Sequence, residues 1–326
     1  MNRNAPDFWR HNSPQAWLLW PVSQLYRLLG GLRRLAYRLG LLRRYRAPVP
    51  VIVVGGILVG GSGKTPFTIW LVDLLQKAGY HPGVVLRGYG GKARSWPRSV
   101  DAHSNPEEVG DEAVLIAQRT GVPVCAGPKR GLSAQCLVKS GCDVIVSDDG
   151  LQHYALDRNI EIAVVDSRRR FGNRMLLPAG PLREAPSRLR KVHWVISNGP
   201  QQRGEYRMDL RGDTLQRLEG EGAETLASWQ GREVHALAGI GDPRRFFASL
   251  RRAGLNVQEH PFPDHHVFKA EDLRFNPPLP LVMTEKDAVK CRRLGTQPDA
   301  NIWYLPVTAK VDSRLERLIL KELESL

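Results

Sequence analysis

The segment 55–65, GGILVGGSGKT, constrains this chain more than any other stretch. An entirely apolar run at 51–54 precedes it, and a helical pattern from Pro66 to about Ala78 follows. A strand buried on both faces, a glycine-rich turn and a helix together make a phosphate-binding unit. The glycines let successive backbone N–H groups converge on phosphate oxygens, and the helix N-terminus favours an anion. In such a unit Lys64 reaches the β- and γ-phosphates of a nucleotide, and the Thr65 hydroxyl holds Mg²⁺. Leu58 stands where the strict pattern has glycine, and Gly60 and Gly61 supply the freedom instead. Nucleotide contact is therefore expected at Leu58, Val59, Gly60, Gly61, Ser62, Gly63, Lys64 and Thr65; the bland alternative is an ordinary glycine turn.

Short apolar runs recur at 84–86, 122–126, 144–147, 160–165 and 192–196, with helical stretches such as 112–119 and 132–139 between them. This alternation predicts an α/β fold: a P-loop NTPase-like, mainly parallel sheet with helices on both faces. A polar, Gly- and Arg-rich stretch at 199–231 reads as a boundary. Beyond it apolar runs at 234–238, 281–283 and 302–305 alternate with helical patterns near 243–253 and 313–323. The expected division is an N-terminal amphipathic helix (1–46), a P-loop domain (47–226) and a smaller C-terminal α/β domain (227–326) closing a cleft.

The formal net charge is +14, and more than half of it sits before residue 47, where nine arginines face a single acid, Asp7. From Val22 to Leu42 the apolar residues fall on one helical arc, with Arg27, Arg34 and Arg38 opposite and Trp17, Trp20 and Tyr26 nearby. Periodicity alone leaves two readings: a basic helix lying on an anionic membrane, or a core-packing helix with a solvated arginine face. No run of about 18 apolar residues occurs, so no spanning helix is expected. Arginine continues past the apolar stretch, unlike a secretory leader. The four cysteines (Cys125, Cys136, Cys142 and Cys291) show no metal spacing and suit free thiols in a reducing compartment.

The run 143–149, DVIVSDD, reads as an apolar strand ending in Asp148 and Asp149. Acids at the end of a parallel strand beside a P-loop are where such enzymes hold Mg²⁺, although an Asp pair there also serves as a turn or helix cap.

In order along the chain, these motifs resemble the tetraacyldisaccharide 4′-kinases, lipid A pathway enzymes of Gram-negative bacteria. The resemblance is carried by 47–50 (APVP), 59–66 (VGGSGKTP), 87–91 (RGYGG), 109–112 (VGDE), 126–130 (AGPKR), 148–153 (DDGLQH), 177–184 (LPAGPLRE), 239–243 (GIGDP), 264–266 (DHH) and 284–287 (TEKD). The chain has Gly55-Gly56 where that family usually has Gly-Asn, and Leu58 where Thr or Ser is common.

The resemblance implies transfer of a phosphoryl group from MgATP to the 4′-hydroxyl of a tetraacylated glucosamine disaccharide 1-phosphate, giving the 4′-phosphorylated lipid A precursor. It implies a peripheral enzyme at the cytoplasmic face of the inner membrane, held by its N-terminal helix, with no obligate protein partner. It also implies that Asp111 is the base, supported by His265, with Glu112 beside it. Read as residues alone, Glu112 equally favours a helix dipole and His265 equally suits a loop. Arg130, Arg183 and Gln152 would contact phosphate or substrate and Glu184 would assist the metal, with His153 lining the same cleft. Lys286 and Asp287 are expected next to the site, and 168–170 is a basic run that usually faces solvent. Because His265 lies in the second domain, its meeting with Asp111 would put the site between domains, with closure over substrate.

Two other classes compete with this reading. A membrane-associated P-loop NTPase of another substrate class, such as a GTPase, would show a guanine-reading Asn-Lys-x-Asp motif, and none occurs. A nucleic-acid binder would suit the pI of about 10.0, but the charge is concentrated on one helix and aromatics are only 7%. No nucleic-acid partner is expected.

Overall fold

The computed structural model describes residues 6–295 and 301–326. The chain begins with helix α1 (Pro14–Arg38), then enters an α/β body through β1 (Val51–Gly55), α2 (Lys64–Lys77), β2 (Pro82–Leu86), β3 (Arg98–Val100), α3 (Pro106–Val109) and α4 (Asp111–Thr120). It continues with β4 (Val124–Ala126), α5 (Arg130–Lys139), β5 (Val144–Ser147), β6 (Ile160–Asp166), β7 (Trp194–Asn198) and β8 (Tyr206–Arg211). A second body follows: β9 (Thr214–Arg217), β10 (Ala223–Thr225), β11 (Glu233–Ala238), α6 (Pro243–Arg252), β12 (Asn256–Pro261), β13 (Leu281–Thr284), α7 (Glu285–Cys291) and β14 (Ile302–Leu305). β15 (Thr308–Val311) and α8 (Ser313–Glu324) end the chain.

The first sheet has the order β15-β8-β7-β6-β1-β5-β2-β4-β3, parallel except at its two edges, where β15 and β3 run antiparallel. Alternation along β1 explains why helices cover both faces. Ile52 and Val54 pack with Phe67, Leu71 and Leu75 of α2, while Val51 and Val53 pack with Leu137 of α5 and with Leu151. The register pairs Val53 with Ser147 and Gly55 with Ala163, so the turn after β1 opens beside the end of β5. The second sheet, β10-β9-β14-β13-β11-β12, has its own core around Trp229, Phe247 and Trp303.

The two bodies do not divide at residue 226 as the sequence predicts. β9 and β10, from the stretch read as a boundary, join the second sheet, while β15 pairs with β8 and α8 buries Leu315, Ile319 and Leu323 in the first core. The chain therefore crosses between bodies twice, at 212–213 and 306–307. The crossings touch: a Cβ at Gly212 would stand 2.7 Å from the Pro306 carbonyl oxygen. A side chain there would force them apart.

Helix α1 ends at Arg38, and among the described residues no helix is long and apolar enough to cross a membrane. Its apolar arc is not core: Leu18 is 81% and Leu28 58% exposed, with Trp17, Leu25, Leu29 and Leu32 exposed alongside. The helix instead meets the body through polar groups. Ser23 Oγ donates to the Leu176 carbonyl at 2.8 Å and accepts from Ala179 N at 3.0 Å, and Arg34 pairs with Glu184 at 2.7 Å. The core-packing reading is thereby overturned, because the leucines of the arc stay exposed while Ser23 and Arg34 make the inward contacts.

Candidate active site

The turn after β1 ends at Gly63, whose φ of +92° and whose contact with Asn198 exclude any side chain: a Cβ would lie 2.6 Å from Asn198 Nδ2. Asn198, at the end of β7, donates to the Ser62 carbonyl at 3.0 Å, and Arg169 donates to that of Gly61. The carbonyls are thus turned outward. The N–H groups of Gly60, Gly61, Ser62 and Gly63 have no protein acceptor among the described residues, and no side chain caps α2. Such a row of unpaired amides at a helix N-terminus is an anion cradle.

Leu58 and Val59, expected at the nucleotide, play other parts. Leu58 is buried with Ile57 and Leu182, and the Val59 amide is already spent on the Pro181 carbonyl at 3.0 Å. An apolar residue at 58 therefore suits the fold, because this half of the loop leans on 181–182 rather than facing phosphate.

At the end of β5 the paired aspartates diverge. Asp148 is buried; it accepts from Thr68 Oγ1 at 2.9 Å, from its neighbour's amide at 3.1 Å and from Thr65 Oγ1 at 3.4 Å. Among the described residues no cation pairs with it directly. Burial, with Glu112 and Asp149 nearby, pushes its carboxyl up to about 6. Asp149 turns the other way, taking both oxygens onto Arg183 Nη1 at 2.8 and 2.9 Å with Lys64 at 3.6 Å. Burial opposes ionisation there, but Lys64 and Arg183 outweigh it and bring Asp149 down to about 2.

Three further expectations change. Glu184 does not approach Thr65 as a metal ligand: its oxygens are taken by Arg34 at 2.7 Å, Tyr154 at 2.5 Å, Gln152 at 3.1 Å and Arg188 at 3.7 Å. Among the described residues no set of three His, Cys, Asp or Glu gathers in a metal-holding group; of the four expected ligands, Thr65 and Asp148 bring their oxygens together, at 3.4 Å. Arg130 is buried beneath the site, donating to Ser147 Oγ and to the Asp149 carbonyl at 3.0 Å each. It fixes the turn that carries the aspartates rather than facing a ligand. Gln152 donates to the Gly56 carbonyl at 3.1 Å and accepts from Arg183 at 3.3 Å, tying the loop to the aspartate turn.

Across the cleft, α4 begins at Asp111. Gly110, at φ +94°, packs so closely that a Cβ would meet the Tyr89 carbonyl at 2.7 Å. His265, from the second body, reaches Asp111 with Nδ1 at 3.1 Å from Oδ2. Lys286 comes from the same body and stands 3.2 Å from Glu112, 3.3 Å from Asp264 and 3.8 Å from Asp111. Its neighbour Asp287 lies away from the cleft, buried and bonded to Gly239 N at 2.9 Å and Thr284 Oγ1 at 2.6 Å.

Residues 15–324 match the tetraacyldisaccharide-1-P 4′-kinase family. The chain belongs to this family. It is 50% identical to the tetraacyldisaccharide 4′-kinase of Aromatoleum aromaticum, over 99% of this chain and 98% of that one. It is 46% identical to that of Nitrosococcus oceani, over 97% and 93%. A crystal structure of LpxK from Aquifex aeolicus in complex with ATP superposes with a TM-score of 0.79 at 29% identity, covering 94% of this chain and 99% of that one.

As a tetraacyldisaccharide 4′-kinase the chain catalyses ATP-dependent phosphorylation of a sugar hydroxyl, and the cleft holds the groups that reaction asks for. Burial opposes the charge on Asp111, yet Lys286 and the hydrogen bond from His265 hold it at about 2. Burial likewise opposes the imidazolium of His265, and its bond to Asp111 raises it above the ordinary histidine range. His153 lies on the other side of the aspartates, where burial and the Arg130 charge hold it down to about 4. It is neutral at physiological pH. Residues the sequence reading did not assign to the site are Asp264, Asn198 and Arg169. Asp264 left a signal in the 264–266 motif and Arg169 in the basic run, whereas Asn198 left none because it ends an ordinary buried strand.

Proposed function

We propose that Asp111 takes the proton from the 4′-hydroxyl while the turn 60–65 holds the terminal phosphates of ATP, with Lys64 beside them. The observation that carries this is the Asp111–His265 contact at 3.1 Å, made by two bodies at the rim of the same cleft. Phosphoryl transfer asks chiefly for positioning and charge neutralisation, and the unpaired amides of the turn serve both. Arg183 and Gln152 hold Asp149 and the loop in register. His265 orients the Asp111 carboxylate, and Lys286 keeps it ionised. Because His265 and Lys286 belong to the second body, movement of that body toward the first completes the site.

The residues also fit Mg²⁺. Asp148 is a buried carboxylate with hydroxyl and amide neighbours but, among the described residues, no directly paired cation, and Thr65 Oγ1 stands beside it. One or two protein oxygens plus substrate phosphates are what this hard, octahedral ion usually takes. Thr65 and Asp148 would hold it, and when bound it supplies neutralisation of charge on the phosphate oxygens.

The acceptor carries four acyl chains, so the enzyme must work at a bilayer surface, the cytoplasmic face of the inner membrane in this reading. The exposed arc of α1, with arginines flanking it, supports insertion into the headgroup region. Burying one leucine is worth about 1.5–3 kcal/mol. The double variant Leu25→Glu/Leu32→Glu is therefore expected to lose anionic-vesicle binding by on the order of a hundredfold in flotation. Turnover of vesicle-borne acceptor should fall with it, while turnover in detergent micelles should stay near wild type. Equal flotation of the variant and wild type would remove this role from α1.

A further inference from the structure

We propose that the cavity between the two bodies, at the far end of α4 from Asp111, binds a small molecule carrying two phosphate groups and thereby favours the arrangement in which His265 meets Asp111. The cavity has a volume of about 850 Å³, within the usual range for small-molecule sites. Asp111 and Arg119 stand eight residues apart on one helix, so this site is separated from the catalytic one by about 12 Å along α4.

Its charge is unbalanced. Arg119 from α4 is neutralised by both oxygens of Glu285, at 2.7 and 2.9 Å. Among the described residues Arg292 has only the neutral Gln118 side chain as a hydrogen-bond acceptor, at 2.9 Å, and lies over the Tyr304 ring at 4.9 Å. Arg211 and Arg293 have no carboxylate within ion-pair distance among the described residues. Against these three guanidinium groups the lining sets one further acid, Asp213, itself exposed. Guanidinium groups lining one concave space suit phosphate oxygens.

The placement ties binding to the catalytic cleft. Arg211 belongs to the first body, and Arg292 and Arg293 follow α7 of the second, so a ligand with two phosphates spans both. The cavity wall includes Gly212 and Pro306, the touching crossings through which any relative motion of the bodies must pass. Glu285, the partner of Arg119, is the chain neighbour of Lys286, which lies 3.8 Å from Asp111. A ligand that bridges the bodies only in this arrangement shifts the population toward it, and by linkage tightens whatever else that arrangement binds.

The test uses the whole chain in detergent, with fructose 1,6-bisphosphate as probe and Lys64→Ala to disable the nucleotide loop. Calorimetry should show saturable one-to-one binding by Lys64→Ala, weakened at least about tenfold when Arg211→Gln/Arg293→Gln is added. With Lys64 intact, saturating probe should tighten the Kd for ATP by about fivefold. The Arg211→Gln/Arg293→Gln chain should lose that response while keeping its probe-free activity and its Kd for ATP, which also shows that it is folded. The proposal is overturned by no saturable binding to Lys64→Ala, by equal binding after the arginine substitutions, or by an ATP affinity the probe does not tighten.

Discussion

Asp111→Asn is expected to lower kcat by about 10²–10⁴-fold while leaving the KM for ATP close to wild type, with a lower thermal unfolding midpoint because the fold holds this carboxyl at about 2 against 3.8 ordinarily. The amide is nearly isosteric, so it keeps the start of α4 intact and still meets His265. It cannot take a proton. A carboxylate held at about 2 is a weak base, which a loose phosphoryl-transfer transition state tolerates; orientation of the hydroxyl is the larger part of its task. His265→Gln is expected to cost less, because the imidazole acts through the carboxylate. The double variant should be little worse than Asp111→Asn alone, since residues acting as a unit are not additive. Steady-state kinetics on both single variants and the pair check this. Full loss in His265→Gln with activity retained in Asp111→Asn would exchange the two roles.

Asp148→Asn should separate function from stability. Turnover should fall by at least about a hundredfold, because the variant loses the ionised oxygen that Mg²⁺ would share with Thr65. The metal-free protein should nonetheless gain stability. The Asp148 carboxyl ionises at about 6 in the fold against 3.8 ordinarily, so its charge works against folding. Below about pH 4 both folded and unfolded chains hold the proton, and the substitution changes little. As pH rises toward 6 the unfolded chain ionises first, a penalty accrues to the wild type, and above about 6 it is complete. The gain at pH 8, measured without divalent ions, should be on the order of 1–3 kcal/mol, and it should vanish near pH 4. A variant less stable than wild type at pH 8 would mean that the hydrogen bonds from Thr68 and the Asp149 amide outweigh the buried charge.

The nucleotide loop was legible because three local signals coincide there: a wholly apolar strand, glycines and a helix start. The aspartate pair followed from the same logic, since register places strand ends side by side. The second body's outer strands were not legible. β9 and β10 are short, with Leu215 their one fully buried residue, so their composition matches a linker rather than a strand. β15 carries no apolar run at all, and its return to the first sheet is a long-range pairing that local pattern does not encode. Glu184 illustrates a different limit. An acid in a motif beside the aspartate turn suits a metal, but its partner is Arg34, 150 residues away on α1. Lys286 was expected near the site yet belongs within it, for a comparable reason: α7 and α4 meet only in three dimensions. Periodicity did find the apolar arc of α1; only the structure decided which face looks outward.

In the proposed reaction the amides of residues 60–63 and the Lys64 ammonium hold the terminal phosphates of ATP, the last of which passes to the disaccharide. The most direct test follows terminal-phosphate-labelled ATP and the acylated disaccharide 1-phosphate in detergent, comparing wild type with Lys64→Ala at matched fold. Label should pass to the 4′ position with the wild type and fall below about one part in a hundred with the variant. Undiminished transfer by Lys64→Ala would contradict the account.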